Sequence, residues 1–276
     1  MNGHHAGLGR LIALAIAIFT VHSLYAQTGY TVTARGPDWK ELQKTSVVSG
    51  TNRVSKYIEL ATGLNYTNAS GQLVESKEQI TLLPTGGAAA TQGRHKVYFP
   101  GNIYSGVLEV VTPDGRHLKS RPLGVSYDDG SNTVFIATLK SAAGYLTSSN
   151  TVTYRDAFTG FKADLVCTYR RGGFECDLVF RQQPPAPGDY GKDPNGSTLQ
   201  MVTEFFNTAD PVQIPAGYDD TFGLQDVTLK FGKLTMTRGK AFAFKGTNSL
   251  NSSTLNPSTK PLRFTRPGST PAAARS

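Results

Sequence analysis

Along most of the chain apolar and polar residues alternate in short runs, and the runs break at Gly, Asn, Asp, Ser and Pro. Alternation with a period of two puts one set of side chains on each face of an extended strand, so the pattern predicts β structure punctuated by hairpin turns. Val107 to Val111 runs into Thr112-Pro113-Asp114-Gly115 and returns through Arg116 to Lys119. Pro presets φ for that turn and Gly supplies its left-handed position. Gly63 to Tyr66 and Gln72 to Glu75 flank Asn68-Ala69-Ser70-Gly71, and Val125 to Tyr127 and Thr133 to Ala137 flank Asp128 to Asn132. Both read as hairpins with longer loops. Two short stretches, Asp38 to Lys44 and Lys140 to Leu146, suit a couple of helical turns at most, and no repeat of fixed period is visible. The predicted fold is mainly β, an antiparallel β-sandwich or super-sandwich with many hairpins.

A fourth hairpin, Ala163 to Arg181, carries more information because it contains the two cysteines. A two-residue turn at Arg171-Gly172 sets Cys167 opposite Cys176, Leu165 opposite Leu178 and Tyr169 opposite Phe174, while Thr168, Arg170, Glu175 and Asp177 fall on the other face. Counting outward from the turn, Cys167 and Cys176 form a non-hydrogen-bonded pair, in which side chains approach most closely. The register therefore predicts a structural cross-strand disulfide. The competing expectation is two buried thiols acting as small hydrophobes, because directly opposed strand positions fit disulfide geometry poorly. Closing so short a loop stabilises by roughly 2 to 3 kcal/mol in the chain-entropy account.

Residues 1–26 read as a secretory signal peptide. Arg10 precedes a 14-residue apolar run from Leu11 to Leu24, and Ala26 offers a small residue at the cleavage point, although Leu24 fits the third position back less well. The run is shorter than the roughly 20 apolar residues of a spanning helix, so no membrane span is expected after cleavage. The expected location is secreted or at the cell surface, with the periplasm also open, and an oxidising compartment favours the disulfide. Residues 27–246 then form the β domain, as one body or two subdomains. Residues 247–276 are rich in Ser, Thr, Asn and Pro with few bulky apolar groups, which predicts a disordered basic tail.

A net charge of +8 and a pI near 9.4 would suit a nucleic-acid partner if the charge were spread over the body. It is not. Residues 227–276 hold nine Lys or Arg and no acid, and outside that stretch and Arg10 there are 18 basic residues against 20 acids. The body is close to neutral, which removes nucleic acid as a partner.

Chemistry is sparse. Only His95 and His117 remain after residue 26, which argues against a histidine-built metal site. In Arg94-His95-Lys96-Val97-Tyr98-Phe99 the period of two puts His95 with Val97 and Phe99, and Arg94 with Lys96 and Tyr98. That cationic face could meet uronate carboxylates in a polysaccharide lyase with Tyr98 as proton carrier, or be the wet side of a strand. Asp128-Asp129 and Asp219-Asp220 could serve glycoside hydrolysis, yet both stand where a turn calls for Asp. Asp189, Asp193 and Asn195-Gly196 give an incomplete calcium-like spacing in the Pro-rich loop Pro184 to Gly196, which loop composition explains. No nucleophile elbow, phosphate loop, dinucleotide fingerprint or zinc-type cysteine spacing occurs. No catalytic, cofactor-binding or metal-binding residue is assigned. Among aromatics, Tyr66, Tyr127, Tyr190 and Tyr218 fall in or beside loops; Tyr127, Tyr190 and Tyr218 are the candidates for a glycan-binding platform, against the alternative that each ring caps a sheet edge.

Several segments carry a resemblance: Leu60 to Leu64, Val74 to Lys77, Gly93 to Val97, Thr112 to Arg116, Asp156 to Asp164, Gly173-Phe174-Glu175 and Gln183-Pro184-Pro185. In this order they resemble the N-terminal region of large, uncharacterised exported bacterial proteins, some with Rhs-type repeats further along. The resemblance spans residues 39–246 and implies a surface or extracellular structural role without catalytic residues. Those proteins continue past the segment matching Phe231 to Phe244, whereas this sequence turns basic and low in complexity. A short free-standing version and a cut or shifted reading frame both fit. The expected function is an exported structural or interaction module whose partner is a polysaccharide or a cell-surface protein, with no cofactor. The alternative is a carbohydrate-binding protein or, further off, a polysaccharide lyase or hydrolase. Oligomeric state is not legible.

Overall fold

The computed structural model describes residues 29–208, 210–219 and 224–237, together with the backbone of three short strands further on. The chain divides into two compact units at Ala61. The signal segment 1–26 and most of the tail 247–276 lie outside the described residues.

The first unit is a three-stranded antiparallel meander of β1 (Thr31–Gly36), β2 (Trp39–Val48) and β3 (Thr51–Leu60). β2 and β3 join through Ser49-Gly50, both at positive φ, the backbone of a type I′ turn whose twist matches the flanking strands. The stretch Asp38 to Lys44, expected as helix, is instead a turn residue followed by strand from Trp39. Its Lys, Glu, Leu and Gln are good helix formers, but pairing with β3 from Trp39↔Leu60 to Val48↔Thr51 overrides that weak preference.

The second unit follows with β4 (Asn65–Thr67), β5 (Leu73–Glu75), β6 (Thr81–Leu82), β7 (Ala88–Ala90), β8 (Lys96–Phe99), β9 (Leu108–Val111), β10 (His117–Asp128) and β11 (Thr133–Thr138). Then come β12 (Gly144–Ser148), β13 (Thr151–Tyr154), β14 (Ala163–Arg170), β15 (Gly173–Phe180) and β16 (Thr198–Phe206). β17 (Val212–Asp219), β18 (Leu224–Phe231) and β19 (Leu234–Met236) form a separate three-stranded sheet, and β20 (Phe242–Phe244), β21 (Leu255–Pro257) and β22 (Arg263–Thr265) are short. One sheet has eight strands, in the order β22-β16-β10-β9-β8-β7-β6 with β11 also on β10, and another has four, β12-β13-β14-β15. The pairings are antiparallel except that between β16 and β22. Among the described residues the only helix is the one-turn 3-10 segment Pro187–Tyr190, and none is long and apolar enough to cross a membrane.

The eight- and four-stranded sheets share one core, with Val97, Phe99, Leu108, Val110, Leu118, Val125 and Tyr127 on one side and Val152, Tyr154, Leu165, Cys167 and Tyr169 on the other. This is the expected antiparallel sandwich. All four hairpins form. The turn at Thr112–Gly115 joins β9 to β10 with His117↔Val111, the Asn68–Gly71 turn joins β4 to β5, and Asp128↔Thr133 closes β10 on β11. Two strands expected separately, Arg116 to Lys119 and Val125 to Tyr127, are the two ends of the 12-residue β10. A bulge at Leu123, between Pro122 and Gly124, shifts its phase, so Leu118 and Val125 both face the core although they stand seven positions apart; a second irregularity, opposite Val125 and Ser126, places its extra residue, Ile136, in β11. Lys140 to Leu146, the other helix candidate, is an extended segment leading into β12, held by the isolated bridge Asn102↔Ala143.

Candidate functional site

One convergence of polar groups lies at the tip of the β14–β15 hairpin. The register is as the turn dictates, Arg170↔Gly173 through Ala163↔Phe180, and Cys167 and Cys176 are joined by a disulfide with Cα atoms 4.3 Å apart, the close approach of a non-hydrogen-bonded pair. β13 pairs on the other side of β14, and Cys167, Tyr169 and Leu165 have no solvent exposure. Two connecting segments fasten to the tip. The backbone N–H of Arg171 donates to Glu78 Oε1 at 3.0 Å, and its guanidinium lies 3.8 Å from Glu78 and 3.9 Å from Glu75. The ring of His95 stacks obliquely 4.9 Å from Tyr169, with Nε2 3.3 Å from the Gly173 carbonyl oxygen. Tyr169 Oη donates to the His95 carbonyl oxygen at 3.1 Å.

Glycine is required where these pieces meet. Gly63, at φ 70°, passes so near Arg171 that a Cβ would collide with its carbonyl oxygen, and a Cβ on Gly93 would collide with the Tyr169 hydroxyl. Burial lowers the His95 pKa, with the Gly173 hydrogen bond opposing and Arg94 adding to the effect. Burial, helped by Glu78 and Tyr66, pushes Tyr169 up to about 12. A neutral imidazole and a neutral phenol, both facing main-chain carbonyls inside the core, hold geometry at neutral pH.

A second clamp closes the far end of β10. Asp129 accepts hydrogen bonds from the backbone N–H of Ser131 and Asn132 and from the Ser131 hydroxyl, while Lys192 Nζ donates to Asp129 Oδ2 and to the Asn132 carbonyl oxygen, each at 2.8 Å. The contact with Lys192, then those with Ser131, hold the Asp129 carboxyl well below the usual range. Asp128 accepts from Gly130 N–H and from Gln200 Nε2. The pair Asp128-Asp129 thus serves the turn, as its sequence context implies, and Asp219-Asp220 falls where no side chain is described. In the calcium-like loop, Asp189 accepts from Ala186 N–H and Asp193 from Asn195 N–H. Among the described residues no group of three or more His, Cys, Asp or Glu is placed to hold a metal.

The described tyrosine candidates, Tyr127 and Tyr190, both lie against the core. Tyr127 is buried on the core face and donates from Oη to the Pro185 carbonyl oxygen at 2.8 Å, so its ring is not open to a sugar. Its sequence neighbours suggest a loop, but the β10 bulge turns it inward. Tyr190 is half-buried and packs against the same core, and the side chain of Tyr218 lies outside the described residues. Burial raises the Tyr127 pKa, with smaller contributions from Tyr190 and Asp189.

The wet face of the eight-stranded sheet carries what sequence reasoning missed. Register aligns Tyr98, Glu109, Lys119 and Phe206 in one row across β8, β9, β10 and β16, with the buried Ala89 of β7 beyond Tyr98, and Arg121 sits opposite Glu204 in the next. Lys96 and Tyr98 are on this outward face as their period implies, and His95, Val97 and Phe99 are buried. His117 Nδ1 lies 2.6 Å from Glu109 Oε1 and Lys119 Nζ 3.7 Å from it. Arg121 lies 5.3 Å over the Phe206 ring, 3.5 Å from Glu204, and donates to the Tyr104 carbonyl oxygen. Phe206 is far from Tyr98 in sequence, and only the inward-facing neighbours Leu118, Val110 and Phe205 could have marked the outward set. No protein-family model, curated protein or solved structure matches the chain.

Proposed function

We propose that this protein is an exported β scaffold, acting at the cell surface or outside the cell as a structural and interaction module. The observation that carries the reading is how its convergent polar groups are used. Glu75, Glu78, Arg171, His95 and Tyr169 fasten two segments, one at the end of β5 and one before β8, to one stapled hairpin, and Asp129 with Lys192 ties the β10–β11 turn to the segment before β16. Groups engaged with main-chain carbonyls and amides set loop geometry. The disulfide supports an oxidising compartment. What the eight-stranded sheet offers outward is a row of half-buried aromatic and charged side chains.

A second reading, carbohydrate binding, rests on the outward row of Tyr98, Glu109, Lys119 and Phe206 with Arg121 beside it. Flat rings flanked by paired charges are the chemistry that stacks on sugars and orients their hydroxyls. A thermal melt of the full chain, with calcium and with neutral and acidic oligosaccharides, separates the two. A scaffold melts cooperatively at one midpoint regardless of glycan. A saturable rise with one glycan class, abolished in Tyr98→Ala, moves carbohydrate binding to first place.

A further inference from the structure

The two edges of the first unit are built differently. β1 is six residues long and bulged between Val32 and Ala34, a device that bends an edge away from pairing. β3 is ten residues long, pairs with β2 without a shift, and is exposed at every residue but Glu59. The Ser49-Gly50 turn makes Val48↔Thr51 a hydrogen-bonded pair, so odd residues of β3 bond to β2. Asn52, Val54, Lys56, Ile58 and Leu60 therefore turn their N–H and C=O groups toward the open edge. The same five side chains share a face with Val47, and Val47, Val54, Ile58 and Leu60 are 68%, 55%, 60% and 75% exposed.

From this register we infer that β3 is a homodimerisation edge, pairing antiparallel with β3 of a second copy about a two-fold axis through Lys56. A two-fold normal to the sheet requires partner numbers that sum to an even value, and hydrogen bonding through the outward groups requires even residues to face even residues. Among the central registers, the one on Lys56 sets Val54 against Ile58 twice, Arg53 against Glu59 twice and Asn52 against Leu60 twice. Centring on Ser55 would set Val54 against Lys56 and Arg53 against Tyr57, and centring on Tyr57 would set Lys56 against Ile58. Charge and apolar complementarity select the first. Arg53 makes no ion pair among the described residues, whereas each Lys56 Nζ lies 3.3 Å from its own Glu41, so the two ammoniums near the axis arrive partly compensated. The interface is isologous, joining two three-stranded sheets into one of six. Strand addition alone covers modest area, so the dimer is reversible and concentration-dependent. The inference stands on the β3 edge and does not depend on which partner the scaffold engages.

Sedimentation velocity on the full chain, from low to high micromolar concentration, should show a rising share of dimer. Val54→Pro removes one outward N–H without touching the β2 ladder and should weaken association at least about tenfold. Register is tested separately by single cysteines. At the axis the Cα atoms of a hydrogen-bonded pair lie about 5.5 Å apart, within disulfide reach. Lys56→Cys should therefore cross-link with itself on mild oxidation. Val54→Cys and Ile58→Cys should not do so alone but should cross-link with each other when mixed. A monomer at every concentration, a dimer indifferent to Val54→Pro, or self-cross-linking at position 54 or 58 in place of 56 would each overturn the inference.

Discussion

Two hairpins of this molecule are built on the same local plan and end in opposite states. β2–β3 and β14–β15 each join long strands through two residues, and each keeps an unbroken register from the turn outward. In β14–β15 one strand is paired on both sides and buried, a disulfide crosses the pair, and two connecting segments dock near the turn. In β2–β3 the second strand lies at the margin of its sheet with nearly every side chain in water. Turn chemistry and alternation specify a hairpin, but they do not specify what lies beyond it. That is decided by which residues the rest of the fold can bring to its flanks.

The sharpest way to break the comparison is to delete buried volume from the stapled hairpin. Leu165→Ala should cost about 3 kcal/mol, read as a fall of about 6 to 12 °C in Tm. Loss of less than about 1 kcal/mol would mean that the sandwich core does not depend on β14. Removing the staple with Cys167→Ala/Cys176→Ala should cost about 2 kcal/mol in chemical denaturation, with the pairing itself retained. Equal stability of the native and double-variant proteins would show that the hairpin already persists in the unfolded chain.

A pH series sharpens the docking at the tip. The buried His95 ring resists protonation, whereas in the unfolded chain it titrates near 6.5. The unfolded state therefore binds more protons as pH falls through that value, and stability drops from about pH 7 toward pH 5, levelling below the folded pKa. His95→Gln should flatten that part of the profile, and an unchanged slope would place the titration elsewhere. The smallest effect is expected at the open hairpin, where Ile58→Thr should move stability by no more than about 0.5 kcal/mol while weakening self-association.

These outcomes also measure what the sequence could reveal. The β14–β15 register was legible to the residue because a tight turn, two cysteines and alternating faces all fixed the same alignment. The length of β10 was not, because the bulge at Leu123 flips the phase between Leu118 and Val125, and alternation cannot be followed across a flip. The tip junction gave only indirect signs. Gly63, Gly93 and Gly173 stand where chain segments meet, yet nothing local shows that Gly63 meets Arg171 or that His95 reaches Gly173. The outward row from Tyr98 to Phe206 depended on strand order, which no local pattern encodes.

The contrast between the two hairpins is tested most directly by residue-resolved hydrogen exchange on the full chain at two protein concentrations. In dilute solution the β14 amides of Leu165, Cys167 and Tyr169 should be among the slowest in the molecule. In β3, Arg53, Ser55, Tyr57 and Glu59 should be protected by β2, while Val54, Lys56 and Ile58 exchange freely and slow only at high concentration. Uniform protection along β3 at both concentrations, or rapid exchange throughout β14, would contradict the account.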